Sequence, residues 1–185
     1  MTSKTMRRCS SWPTTARAFP DGRIRSAPTC ACTSPPPSSR WRWRSTTPAS
    51  TPSPSPPHCT PTCAWTDIAH AAIEGLQGCD FEDSANGGTL HREHNYEVTF
   101  EGEVDRIYND VVAPLTLIDG NDTLAIEQDG FGDVVTWNPG EQLAARIGDL
   151  APGDHRHFVC VEAAQVVQPV VLAPGDTWAG MQRLG

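Results

Sequence analysis

Glu162 is the residue of this chain best placed to do chemistry. It stands in Phe158-Val159-Cys160-Val161-Glu162-Ala163-Ala164, an apolar run with no other charge. Strand alternation puts Phe158, Cys160 and Glu162 on one face and Val159, Val161 and Ala163 on the other. A carboxyl that shares a face with apolar groups is partly desolvated, which raises its pKa towards the range of a general acid or base. A strand Glu that simply reaches solvent is the plainer alternative. Asp105 and Arg106 in Val104-Asp105-Arg106-Ile107-Tyr108 are adjacent, so on a strand they point to opposite faces. One can face a ligand while the other pairs at the surface, although two solvated charges are the commoner case. Trp137-Asn138-Pro139 reads either as an aromatic stacking platform or as a capped turn with a core Trp. His91 and His94 lie three apart, and His155 and His157 two apart. Either pair has the chemistry to bind a metal or donate a proton. The first sits among Arg92, Glu93 and Asn95, the second in a loop, and no metal is assigned to either.

The elements that would position these residues are short strands. Tyr96–Glu101 alternates strictly and reads as a half-buried strand. Val104–Tyr108, Pro114–Ile118, Thr123–Glu127 and Asp133–Trp137 follow at close spacing, and Asp119-Gly120-Asn121-Asp122 predicts a hairpin turn. Glu141–Ile147 is the one helical stretch, with Asn138 and Pro139 at its start. Two further apolar runs, His157–Ala164 and Val166–Leu172, end at Ala173-Pro174-Gly175 before Thr177-Trp178. The short alternation between Ile68 and Ile73 closes in a turn at Gly75–Gly78, and Asp80–Gly88 reads as a polar loop. Closely spaced strands with turn signals between them predict an antiparallel sandwich or barrel-like sheet. No repeat, phosphate-binding loop or dinucleotide fingerprint is present.

These elements all fall after residue 66. The first 66 residues contain no Leu and no Val, and they carry 12 of the 17 Pro, 23 Ser and Thr, nine of the 14 Lys and Arg, and one acid, Asp21. Such a segment cannot bury enough apolar surface to offset its chain entropy, so disorder is expected over 1–66. Residues 67–185 hold the other 21 acids against five Arg and no Lys, a balance that argues against nucleic acid as a partner. Five of the seven Cys (Cys9, Cys30, Cys32, Cys59 and Cys63) lie in the first segment without zinc-finger spacing. Only Cys79 and Cys160 follow, which suits a reducing compartment. No signal peptide or membrane span is legible, and a cytoplasmic location is expected.

A tail of this composition is unusual in holding Trp12, Trp41, Trp43 and Trp65. A GC-rich gene translated in the wrong frame yields such a mixture of Arg, Pro, Ser, Thr, Cys and Trp. Back-translating Arg40-Trp41-Arg42-Trp43-Arg44 and reading from the third codon position gives an apolar run in which Leu, Met or Val alternates with Ala. The same shift over His58–Thr66 permits L-H-T-Y-L-R-V-D, with the Leu and the final Asp forced, and one surplus nucleotide then leads into Asp67-Ile68. Residues up to about 66, at least from Ser39 onward, are therefore read as a shifted translation.

Four motifs in this order, V-D-R-I-Y at Val104–Tyr108, D-V-V-T-W-N-P at Asp133–Pro139, V-C-V-E-A at Val159–Ala163 and L-A-P-G-D-T-W at Leu172–Trp178, resemble the glucose-6-phosphate 1-epimerase family. These are the hexose-6-phosphate mutarotases of the aldose-1-epimerase superfamily. The likeness covers about Asp67–Gly185, as the C-terminal part of a mutarotase-like domain. Asp67–Gly78 resembles the family strand after its L-H-T-Y motif, the motif that the rephased tail supplies. Gly140 departs from the family, which usually has an aromatic residue after W-N-P. The resemblance implies an all-β, galactose-mutarotase-like antiparallel β-supersandwich, truncated, behind a disordered N-terminal segment. It implies cofactor-free interconversion of the α and β anomers of a hexose 6-phosphate; a monomer with no metal and no nucleic-acid or membrane partner is the expectation for the chain. Glu162 would be the base that takes the anomeric proton, and Asp105 would bind sugar hydroxyls. The family's proton-donating His belongs to L-H-T-Y, where this chain has His58-Cys59-Thr60-Pro61, so the role is not carried to His58. The phosphate-binding Arg residues belong to the family's front half. A non-catalytic carbohydrate-binding sandwich is the competing class, with a secreted-type lectin domain behind it.

Overall fold

Alternating and β-branched runs dominate the chain after residue 66, and they form strands in two antiparallel sheets. A computed structural model describes residues 67–171 and 177–185, together with the backbone of two strands at 39–46 and 62–64. In chain order the strands are β1 (Ser39–Thr46), β2 (Thr62–Ala64), β3 (Ala71–Glu74), β4 (Asp80–Asp83), β5 (Thr89–Arg92) and β6 (Glu97–Thr99). They continue with β7 (Val104–Tyr108), β8 (Leu115–Asp119), β9 (Asp122–Asp129), β10 (Asp133–Asn138), β11 (Phe158–Ala164) and β12 (Thr177–Leu184). One sheet has the order β1-β12-β9-β8-β3-β6 and the other β2-β11-β10-β7-β4-β5. A single short helix, α1 (Gly140–Ala144), is found among the described residues, alongside three 3-10 turns.

The core lies between the sheets. Ile73, Val98 and Leu117 come from the first sheet and Tyr108, Val134, Val159 and Val161 from the second, all essentially inaccessible. Each strand contributes alternate residues to this layer, so the intervening ones face outward. The second sheet therefore has an inner face in the core and an outer face turned away from it.

Several sequence expectations meet a different structure. Within the segment 1–66, for which disorder is expected, the described backbone is extended at Ser39–Thr46 beside β12 and at Thr62–Ala64 beside β11, and the rest of that expectation falls outside the described residues. Residues 1–38, 47–61 and 65–66 lie outside the described residues. Asp80–Gly88, read as a loop, instead opens a hairpin of β4 and β5 joined through a 3-10 turn at Ser84–Asn86. Asp83 makes that turn, because its carboxylate accepts from the Asn86 amide at 3.2 Å and the Asn86 side chain at 2.9 Å. The apolar run at Val166 is no strand over 165–171, and 172–176 lies outside the described residues. There the buried Asp133 carboxylate accepts from the backbone amides of Val166 and Val167 at 2.6 and 2.8 Å, replacing a neighbouring strand. The hairpin at Gly120-Asn121 forms as expected, with Asp119 opposite Asp122 and Gly120 at φ +60°.

Candidate functional site

Strand register decides which of the candidate residues meet. In the second sheet Cys160 pairs with Trp137, and Trp137 pairs with Asp105. Two residues along, Glu162 pairs with Val135 and Val135 with Ile107. Paired residues share a face, as do residues two apart on one strand. Asp105, Ile107, Val135, Trp137, Cys160 and Glu162 therefore lie on one face. It is the outer one, since Val134, Val159 and Val161 on the opposite parity belong to the core. Asp105 is buried, Glu162 and Trp137 are half-buried, and Val135 and Cys160 form a covered apolar floor between them.

The two carboxylates do not form an adjacent pair. They are two strands and two residues apart, so with strands about 4.8 Å apart and a rise of about 3.4 Å per residue their Cα atoms are roughly 12 Å apart. That span suits one small ligand held between two carboxylates over an apolar floor. Concave sites for small polar molecules are typically built this way, from a largely apolar lining with a few placed polar groups.

Arg106 leaves this face, as adjacency to Asp105 requires. It turns to the inner side, where its guanidinium lies 3.5 Å from the buried Glu93 carboxylate and donates to the Tyr108 hydroxyl at 3.3 Å. The Tyr108 hydroxyl in turn donates to Glu93 at 3.0 Å, and the guanidinium sits 4.9 Å above the Phe81 ring. Glu93 also accepts from the backbone and side chain of Asn95, both at 3.0 Å. Burial pushes the Tyr108 phenol well above its ordinary pKa, with the Glu93 carboxylate acting in the same direction. This cluster anchors one strand of the site and is not part of its surface.

The Trp137-Asn138-Pro139 motif resolves into two functions. Asn138 points inward, and its side chain donates to the carbonyls of His155 and Phe158, both at 2.8 Å, while its oxygen accepts from the Gly140 amide at 2.8 Å. One buried side chain thus ties the end of β10 to the start of β11. Trp137 points outward and packs against Phe158, the ring centroids 5.9 Å apart and the planes tilted by 38°. Sequence reasoning left Trp137 open between core and platform, and the register removes it from the core. Gly140 has φ +62°, and a Cβ there would lie 2.5 Å from the Gly102 carbonyl carbon. The absence of an aromatic side chain at this position is thus imposed by the local backbone.

The histidine pairs assemble no metal site. His91 pairs with Thr89 at 2.8 Å and its ring lies 5.5 Å from Phe81, while His155 and His157 belong to a 3-10 turn leading into β11. No group of three or more His, Cys, Asp or Glu side chains with metal-binding placement occurs among the described residues. No helix among them is long and apolar enough to cross a membrane.

The two-sheet architecture is that of the galactose-mutarotase-like fold. It superposes on the crystal structure of a "putative mutarotase" from Salmonella typhimurium with a TM-score of 0.70 at 23% identity, covering 80% of this chain and 49% of that one. A "Putative aldose 1-epimerase" from Escherichia coli K12 superposes with a TM-score of 0.61 at 10% identity, covering 80% of this chain and 55% of that one. In sequence the chain is similar to a "Putative glucose-6-phosphate 1-epimerase" of Cenchrus ciliaris, 31% identical over 117 residues, which is 62% of this chain and 36% of that protein. A protein of the same description from Salmonella typhimurium is 31% identical over 105 residues, 56% of this chain and 35% of its own length. The sequence resemblance is thus to proteins described as "Putative glucose-6-phosphate 1-epimerase", and the fold is that of the mutarotase-like structures. The chain spans about a third of the length of these curated relatives. No protein-family model matches it.

Proposed function

We propose that this chain carries the base-bearing part of a glucose-6-phosphate 1-epimerase, an enzyme that interconverts the α and β anomers of a hexose 6-phosphate. The observation that carries the reading is the placement of Asp105 and Glu162 on one outer face, with Val135 and Cys160 between them. In this reading Glu162 removes the proton from the anomeric hydroxyl. As the ring C–O bond breaks, a proton is delivered to the ring oxygen, giving the open-chain aldehyde. Rotation about the C1–C2 bond and reclosure in reverse yields the other anomer. Asp105 accepts hydrogen bonds from sugar hydroxyls and holds the ring in place. No described residue is assigned as the proton donor, so exchange by the chain as it stands is expected to be weak. The missing donor also favours the second reading, a carbohydrate-binding sandwich in which both carboxylates are ligand contacts.

Two-dimensional exchange NMR on glucose 6-phosphate separates the two readings. In a frame-restored protein, Glu162→Gln should lower α/β exchange by roughly 10²–10⁴-fold, because Gln keeps the shape but cannot accept the proton. Asp105→Asn should mainly weaken binding. Undiminished exchange in the Glu162→Gln protein excludes Glu162 as the base. Robust exchange by the unmodified 185-residue chain shows that the donor has been misjudged.

A further inference from the structure

We propose that Trp137, backed by Phe158, is the stacking platform that orients the pyranose ring between Asp105 and Glu162. The inference rests on the reading of this face as a sugar site and adds the group that selects the cyclic form. Trp137 is cross-strand from Asp105 on one side and Cys160 on the other, so its indole lies beside the sugar-binding carboxylate and one residue pair from Glu162. It is half-buried on an outer face, whereas a core Trp would lie inward with Val134 and Thr136. Its aromatic neighbour is tilted by 38° rather than stacked parallel.

The platform is also rigid before any ligand arrives. Asn138 follows Trp137 directly, and its side-chain amide donates to the Phe158 carbonyl at 2.8 Å, so one hydrogen bond links the backbones that carry the two aromatic rings. A site whose groups are already fixed loses less conformational entropy on binding. The chemistry matches a pyranose, because an aldohexose ring presents a face of C–H bonds that packs on an aromatic surface while its rim of hydroxyls meets carboxylates. The open-chain aldehyde has no such rigid face. Trp137 therefore favours the cyclic anomers before opening and after reclosure, and its loss should raise KM more than it lowers kcat.

Saturation-transfer NMR on the unmodified 185-residue chain with glucose 6-phosphate tests this. The ring C–H protons of one sugar face should receive more saturation than those of the other, and nuclear Overhauser contacts should join them to the Trp137 indole, identified by its loss from the spectrum of Trp137→Phe. Trp137→Ala should weaken binding about tenfold, the equivalent of about 1.4 kcal/mol, while Trp137→Phe retains most of it. Binding without any contact to the indole, or undiminished in Trp137→Ala, overturns the platform and leaves the sugar reading standing. No saturation of any sugar proton at millimolar ligand overturns the sugar reading and the platform with it. The contacts in the unmodified chain decide the matter even if Trp137→Ala does not fold.

Discussion

Replacing Gly140 by Ala tests how tightly the turn after Trp137-Asn138-Pro139 is built. Gly140 has φ +62°, and an added Cβ would stand 2.5 Å from the Gly102 carbonyl carbon, 2.7 Å from the Glu103 nitrogen and 2.8 Å from the Gly102 oxygen. The obstacles are backbone atoms of the connection into β7, so no side-chain rotation relieves them. The left-handed dihedral costs an L-residue about 1–2 kcal/mol. Overpacking against fixed neighbours adds about 1–3 kcal/mol. The stiffer unfolded chain returns about 0.4–1 kcal/mol, for a net loss of about 3 kcal/mol. With a urea dependence of about 1–3 kcal/mol per molar, the unfolding midpoint should fall by at least about 1 M. Gly78→Ala is the control, because Gly78 has φ +85° but open space around its Cβ position, so it isolates the dihedral cost. Equal losses at the two positions, or a midpoint at Gly140→Ala within about 0.3 M of the parent, would refute the close-approach argument.

Three further outcomes are expected. In a Tyr96→Phe protein Tyr108 is the only tyrosine, and absorbance at 295 nm should show tyrosinate well above pH 10 or only on unfolding. Its raised folded pKa means that its contribution to stability is complete below the unfolded pKa and is lost as pH climbs through the folded one, so early ionisation in the native protein would contradict the buried cluster. The Ala69 amide, followed by the Arg156 guanidinium 2.5 Å away, holds the Asp67 carboxyl below its usual pKa. Its contribution is present above the unfolded pKa and lost as pH falls through the folded one, so Asp67→Asn should flatten acid-range stability, and an unchanged acid-unfolding curve would count against the pair. At the gene level we propose that one nucleotide near the Thr66 codon is surplus. Resequencing should open an upstream frame that encodes L-H-T-Y, and stop codons throughout that frame would end the proposal.

The second sheet was largely legible because its central strands combine β-branched residues with clear turn boundaries. Val104–Tyr108 forms a strand with the expected limits, and Asp133–Trp137 and His157–Ala164 shift by one residue. Thr89–Arg92 was not legible, because this edge strand is exposed on both faces and has no apolar alternation. The run at Val166 misled for the opposite reason. Its residues favour strands, but a distant carboxylate on Asp133 takes their amides. For the candidate site, strand context drew attention to Glu162, and the family resemblance supplied the role expected of Asp105. Their shared face depends on β10 lying between β7 and β11, and no local pattern records that neighbour relation. The inward role of Asn138 was equally hidden, since its three bonds reach backbone groups up to 20 residues away.

The split of Asp105 and Arg106 across β7 also works as a proofreading device for strand pairing. A slip of one residue would exchange the two charges between the faces. Asp105 would then enter the layer occupied by the Glu93 carboxylate, and Arg106 would be thrust onto the floor of Val135 and Cys160. Like charges would meet in a buried setting while a guanidinium lost its partners, and each fault is heavily penalised on its own. A mispaired sheet therefore cannot settle as a stable near-neighbour of the native one. The dipeptide that supplies a contact to the outer face thereby checks that the face has been assembled in the right alignment.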